Sequence, residues 1–241
     1  MIGAGAGNVI AAGQTDTDGT VCIGYNSGND ITNGQYSTFV GYSSGNKMTT
    51  GDSNTAFGYE AFGASAAAAN TGDANTVVGY RAGYDLQGAA NNNTLVGSTA
   101  GTAITTGVNN TFVGGGAGDV ATTINNSVAI GSSAIGGAIG AQALEHVVAI
   151  GVDAFLGTSS TTTGPNGLVA IGSYAGRALT TGANNTFVGY NSGYGVTVGS
   201  ANTFFGRHTG NNMDSGSSNV LVGYTAGQYT CLLYTSDAAD E

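Results

Sequence analysis

The sequence predicts an all-β fold, a parallel β-solenoid of about 12–13 coils of about 17 residues each, spanning residues 1–230. Three observations carry this reading. Gly supplies 44 of 241 residues, Pro one, Trp none, and charged side chains only 7%; an ordinary globular domain carries about 7% Gly and roughly a quarter charged residues. An apolar-apolar-Gly step recurs at Gly3, Gly24, Gly41, Gly58, Gly79, Gly97, Gly114, Gly131, Gly151, Gly172, Gly189, Gly206 and Gly223. Seven of the twelve intervals are 17 residues and the rest run from 18 to 21, as loop insertions on a constant coil produce. An apolar content of 41% argues against disorder, and no Gly-X-Y period is present, which excludes collagen.

Taking each of these Gly as position zero, the columns justify the coil element by element. Position −1 holds Ile23, Val40, Phe57, Val96 and Ile130, and position −3 holds Val21, Thr38, Thr76, Thr111 and Val148. β-Branched residues two apart mark one face of a short strand. The column between them is apolar as well, with Cys22, Phe39, Ala56, Leu95, Phe112, Ala129, Phe187 and Phe204. A strand apolar on both faces is buried on both faces, yet a single-layer solenoid buries only one. The regular Thr/Val column is therefore expected to face the interior. Phe39, Phe112, Phe187 and Phe204 then form an outward stripe that another copy of the chain covers, giving a parallel homo-oligomer.

A corner follows the strand. Position +3 is always small, and Gly occupies +4 in ten of thirteen copies, where positive φ is easiest. An apolar column at +7, including Ile31, Met48, Leu86, Ile104 and Val196, predicts a second strand. Gly at −7, as in Gly34, Gly51, Gly107 and Gly182, predicts a second corner. Twelve intervals at ~4.8 Å give a rod of roughly 58 Å. Its open ends expose strand edges, so capping segments are expected in a longer protein.

Four Lys and Arg stand against 14 Asp and Glu, a net charge of −10. No basic patch is available to neutralise phosphates, so nucleic acid is excluded as a partner. A polybasic membrane-surface helix is excluded likewise. No apolar run approaches the roughly 18 residues that span a bilayer, so this segment does not insert. The start, MIGAGAGNVI, lacks the features of a signal peptide and reads as the middle of a repeat, so the chain is expected to be a fragment. Residues 231–241, CLLYTSDAADE, share nothing with the repeat and resemble a translated transposon-derived sequencing adaptor. Setting that tail aside moves the net charge to −7 and leaves Cys22 without a cysteine partner.

The central copies, NSVAIGSSAIGGAIGAQ (126–142), VVAIGVDA (147–154) and LVAIGSYAG (168–176), resemble head repeats of trimeric autotransporter adhesins. The flanking form, NNTFVGYNSG after TTG (180–193), is similar to repeats in phage tail-fibre and related virion proteins. The resemblance implies a left-handed parallel β-roll, three chains side by side as a homotrimer. It implies an extracellular location, on a virion tail fibre or a bacterial cell surface. It also implies that Val128 and Ile130 face the roll interior. The coil length of 17 departs from the shorter, more regular adhesin unit, and no stalk, anchor or chaperone domain is present in the sequence.

Candidate chemistry is sparse. GAGAG at the start lacks the third Gly and the following helix of a dinucleotide fingerprint, and Gly114–Gly118 repeats the pattern, so no cofactor is expected. Cys22 sits in a packing column. His146 and His208 are isolated, and Asp16-Thr17-Asp18-Gly19 lacks further calcium ligands, so no metal is expected. Glu60 and Glu145 are too far apart in the array for a paired-carboxylate site; no enzymatic activity is expected. What remains is position +1, with Tyr25, Tyr42, Tyr59, Tyr80, Tyr190 and Tyr224. Four consecutive coils would place these rings roughly 5 Å apart, a ladder suited to a host-surface glycan or protein receptor. Position +2 is the most diverse column, which marks exposure. The expectation is a structural and adhesive rod. A polysaccharide-degrading tailspike would need longer carboxylate-bearing loops, and an ice-binding solenoid would need an outward Thr array.

Overall fold

The computed structural model describes residues 1–8, 17–63, 69–120, 122–137, 143–157 and 165–228. The tail at 231–241, together with Ile10 and Asp16, lies outside them. In chain order the strands are β1 (Val21–Ile23), β2 (Thr38–Val40), β3 (Thr55–Phe57), β4 (Thr76–Val78), β5 (Thr94–Val96), β6 (Thr111–Val113) and β7 (Thr123–Asn125). There follow β8 (Val128–Ile130), β9 (Ala143–Glu145), β10 (Val148–Ile150), β11 (Val169–Ile171), β12 (Thr186–Val188), β13 (Thr203–Phe205) and β14 (Val220–Val222). All but β7 and β9 form one twelve-stranded parallel sheet in chain order, each strand pairing with the same column of the next coil. Ile2 bridges to Ile23 and adds a further rung. This is a parallel β-solenoid with the repeat that the Gly spacing predicts.

Position zero explains why Gly recurs. At Gly97 φ is +141°, and a Cβ there would lie 2.3 Å from the carbonyl oxygen of Gly114 in the next coil. The corresponding approach is 2.2 Å at Gly41 and 2.6 Å at Gly131. Any side chain at this column holds the coils apart, and only Gly tolerates the backbone conformation.

The strands face the opposite way to the expectation. Phe39, Phe112, Phe187 and Phe204 are completely buried, as are Cys22, Ala129, Ala149 and Ala170. The flanking columns point outward, and Val128 and Ile130 lie on the outer face rather than in the interior. The exposed stripe therefore exists, built from Ile23, Phe57, Val113, Ile130, Phe205 and Val222 with the Thr column beside them. The physical reason is room. A three-residue strand sends one side chain in and two out, and the interior holds one large side chain per coil beside the +3 and +4 corner. A Cβ on Gly45 would lie 2.5 Å from the Phe39 ring, and one on Gly118 would meet Phe112. Where the inward strand residue is Ala56, Ala129 or Ala149, position +4 carries Phe62, Ile135 or Phe155 instead, all buried and all at positive φ. The two columns exchange volume so that the interior stays close-packed. Gly176 beside Ala170 departs from the exchange, and there Phe187 of the next coil leans into the space.

The second face also differs from the expectation. The +7 residues Ile31, Met48, Leu86, Ile104, Leu179 and Val196 are buried, yet all but Met48, which bridges to Asn70, lie in irregular backbone. Among the described residues a second short sheet forms where β7 pairs with β9, because Ile124 and Leu144 replace the −7 Gly and a β-favouring run becomes possible; isolated parallel bridges join Met48 to Asn70 and Asn70 to Gly88. Elsewhere this face is stitched by a buried Asn column at −4. Asn75 Nδ2 donates to Asn54 Oδ1 (3.0 Å) and to the Ala90 carbonyl (2.8 Å), while Asn54 Oδ1 also accepts from the Asn75 N–H (2.9 Å). The pattern repeats through Asn93 and Asn110, and again through Asn185, Asn202 and Asn219. Each amide satisfies its neighbours' buried groups, the condition under which burying it is tolerable.

Candidate binding surface

The corner after the strands carries the exposed aromatic groups. The residue at +2 adopts left-handed backbone in every coil, from Asn26 and Ser43 through Glu60 and Arg81 to His208. Its N–H donates to the +1 carbonyl of the preceding coil, as in Ser43 to Tyr25 (2.8 Å) and Glu60 to Tyr42 (2.8 Å). These bonds continue the coil-to-coil ladder around the corner and hold every +1 side chain in one direction.

Tyr25, Tyr42, Tyr59 and Tyr80 consequently stack as expected. Their ring centroids are 5.3, 5.0 and 5.6 Å apart at interplanar angles of 16°, 8° and 16°. Each ring is about half exposed. The ladder ends at Arg81, whose guanidinium lies 5.6 Å from the Tyr80 ring and 4.7 Å from Tyr84. Arg81 Nε bonds Glu60 Oε2 at 2.7 Å, and that carboxylate raises the pKa of the guanidinium. Partial desolvation and the Glu60 charge raise the pKa of the Tyr59 hydroxyl beside it. This end of the ladder is internally neutralised.

Position +1 then passes through Ser98, Gly115, Ser132, Val152 and Ser173. The remaining two expected residues, Tyr190 and Tyr224, lie six and eight coil steps beyond Tyr80, about 29 and 38 Å at the usual strand spacing. They do not continue the ladder. Arg207 sits between them, 5.5 Å from the Tyr190 ring and 5.7 Å from Tyr224, and His208 meets both rings edge-on at 5.4 and 6.4 Å. The chain thus brings four of the six expected tyrosines into one ladder and places two in a separate aromatic-cationic cluster.

Beside Tyr190 is a cleft of about 360 Å³ lined by Tyr174, Arg177, Tyr190, Asn191 and Tyr194. The sequence reading missed Arg177 and Tyr194, which occupy position +5. The signal lay in taking +2 and +5 together, since one tight turn brings both columns onto the same corner. Arg177 lies 5.9 Å from the Tyr174 ring and 5.7 Å from Tyr194, and it donates to the Tyr194 hydroxyl at 3.3 Å.

No family model, curated protein or solved structure matches this chain.

The remaining candidates resolve simply. Cys22 is a buried free thiol whose pKa burial raises, as suits a packing residue. His208 Nδ1 lies 3.4 Å from Asn191 Nδ2, and Glu145 stands on β9, away from the Arg81–Glu60 pair. Among the described residues no three His, Cys, Asp or Glu side chains gather into a metal-sized group, and no helix is long and apolar enough to cross a membrane.

Proposed function

We propose that this chain is a structural and adhesive rod: a segment of an extracellular fibre, on a virion tail or a bacterial surface, that self-associates as a parallel homotrimer and attaches to a host-surface glycan or protein receptor. The observation that carries the reading is the outward strand face. Val113 and Ile130 on adjacent strands, and Phe57 and Phe205 farther along, stand 36% to 58% exposed in one continuous plane. A row of exposed apolar side chains along one sheet is characteristic of association sites, and a second and third copy of the same rod match its length and chemistry. The tyrosines at +1 lie on the adjoining corner, where Tyr25, Tyr42, Tyr59 and Tyr80 offer stacked faces and Tyr190 and Tyr224 flank a cation. Presentation in threes would convert weak contacts into avidity. We assign the rod no catalytic step. Sedimentation equilibrium of the full chain is expected to give three times the monomer mass; a well-folded monomer at micromolar concentration would overturn the reading.

A second reading has one observation in its favour. Thr38, Thr55, Thr76, Thr94 and Thr111 stand on the outer face of five successive strands, in register, so the expectation that this column faces inward no longer argues against ice binding. Phe57 and Phe205 project from the same face and interrupt its flatness. Thermal hysteresis measured on the full chain separates the two: the rod reading expects none.

A further inference from the structure

We propose that the cleft formed by Tyr174, Arg177, Tyr190, Asn191 and Tyr194 is a binding site for a carboxylate-bearing sugar, a uronic or sialic acid unit of a surface glycan. This deepens the adhesive reading above and rests on it. A cleft of about 360 Å³ falls within the range of small-ligand sites. Three tyrosines line it, and aromatic faces pack against the apolar faces of sugar rings while their hydroxyls meet polar groups.

The polar atoms of the cleft select the acid. Arg177 Nε is shielded from solvent and has no hydrogen-bond partner among the described residues, and the same holds for Asn191 Oδ1. The Asp153 carboxylate stands 3.9 Å from Arg177 Nε, which is close enough for attraction and too far for a hydrogen bond. Arg177 Nε and Asn191 Oδ1 are closed to a ligand, but the Arg177 side chain is 36% exposed, so the outer edge of its guanidinium faces the cleft. A cation held between aromatic rings calls for a ligand whose carboxylate accepts from that exposed edge as a charge-assisted bond. Arg207, stacked on the same Tyr190 ring, adds a second positive charge in a chain that is otherwise acidic.

The molecule contains its own reference for this geometry. Arg81 is likewise held against two tyrosines, yet Glu60 fills its donor at 2.7 Å. At Arg177 the internal carboxylate, Asp153, stands farther off at 3.9 Å, so the guanidinium is less neutralised from within and a ligand's carboxylate can meet its exposed edge. The cleft uses none of the outward strand residues.

The test is saturation-transfer NMR and titration on the full chain with N-acetylneuraminic acid, glucuronic acid, glucose and galactose, with sedimentation run on the same samples. One or both acidic probes are expected to bind in the millimolar range while the neutral sugars bind at least ~10-fold more weakly. Arg177→Gln is expected to remove that preference by about tenfold, Asp153→Asn to strengthen the acidic probes, and Arg81→Gln to change nothing. Circular dichroism confirms that each variant folds, and Asp153→Asn carries the test if Arg177→Gln does not. Equal binding of neutral and acidic sugars, no binding of any, or an Asp153→Asn variant without effect would overturn the proposal. Loss of the trimer with sugar binding intact would instead strike the rod reading alone.

Discussion

The flanking coils and the central coils occupy the same cross-section with different chemistry. In the flanking form, of which β2, β6, β12 and β13 are examples, Phe39, Phe112, Phe187 and Phe204 fill the interior, Gly at +4 makes room, and buried Asn amides stitch the far side. In the central form, around β8 and β10, Ala129 and Ala149 point inward and Ile135 and Phe155 reach across from +4. Ser127, Val147 and Leu168 replace the Asn column there, with Ser127 closing the ladder against Asn110 and Val147, and the pairing of β7 with β9 supplies backbone bonds across the same side. The comparison teaches that the interior is kept filled along the rod, within a coil at Ala56, Ala129 and Ala149 and from the next coil at Ala170, while the residue that provides the volume is free to change columns. Gly at position zero is common to both regions, because it sets the coil-to-coil approach.

The largest expected effect breaks what the regions share. Gly97→Ala in the flanking part and Gly131→Ala in the central part both press a Cβ onto the next coil's carbonyl at positive φ. Each is expected to destabilise by more than about 4 kcal/mol, read by chemical denaturation; a cost below about 1 kcal/mol would refute the close-approach argument. A smaller effect sharpens the volume exchange. Ala149→Phe is expected to cost roughly 1–3 kcal/mol by overpacking against Phe155, and adding Phe155→Gly is expected to recover most of it, converting a central coil to the flanking pattern. Additive losses in the double variant would contradict the exchange.

Comparable in size is the Asn column. Asn93→Ala removes the partner of Asn75 and Asn110 and is expected to cost roughly 2–3 kcal/mol, since buried polar groups are left unmet. A neutral result would mean that the amide ladder contributes nothing. The smallest effect is electrostatic. Burial raises the Asp119 carboxyl above its ordinary 3.8, so the folded state holds that proton to higher pH than the unfolded chain does. Its contribution favours folding in acid and is lost as pH rises from about 3.8 through the folded value. Asp119→Asn is expected to flatten that part of the stability-pH profile and to change stability at neutral pH by about 0.5 kcal/mol; an unchanged slope would count against the assignment.

Much of this architecture was legible in the residues. The Gly spacing gave the coil, the −3 to −1 run gave each strand of the long sheet, and the +1 column gave the Tyr25–Tyr80 ladder with its spacing. The facing of the strands was not legible from hydrophobicity, because Phe112 and Val113 are both apolar and alternation carries no sign when both faces are apolar. The deciding clue was steric: Gly at +4 accompanies a large inward residue, and Phe62 or Phe155 accompanies Ala. The apolar run at +7 does not by itself distinguish a strand from a turn, because buried apolar residues also line turns in a narrow solenoid. The cleft escaped notice because Arg177 and Tyr194 belong to a column that is otherwise unremarkable, and only the turn geometry brings them beside Tyr174 and Asn191.

The central functional claim is that the outward strand face is where copies of this chain meet. Sedimentation equilibrium of the chain carrying Val113→Asp and Ile130→Asp tests it most directly, because both side chains point away from the interior and circular dichroism can verify the fold. The account predicts that the unsubstituted chain is a trimer and the double variant a folded monomer. A double variant that remains trimeric would contradict it.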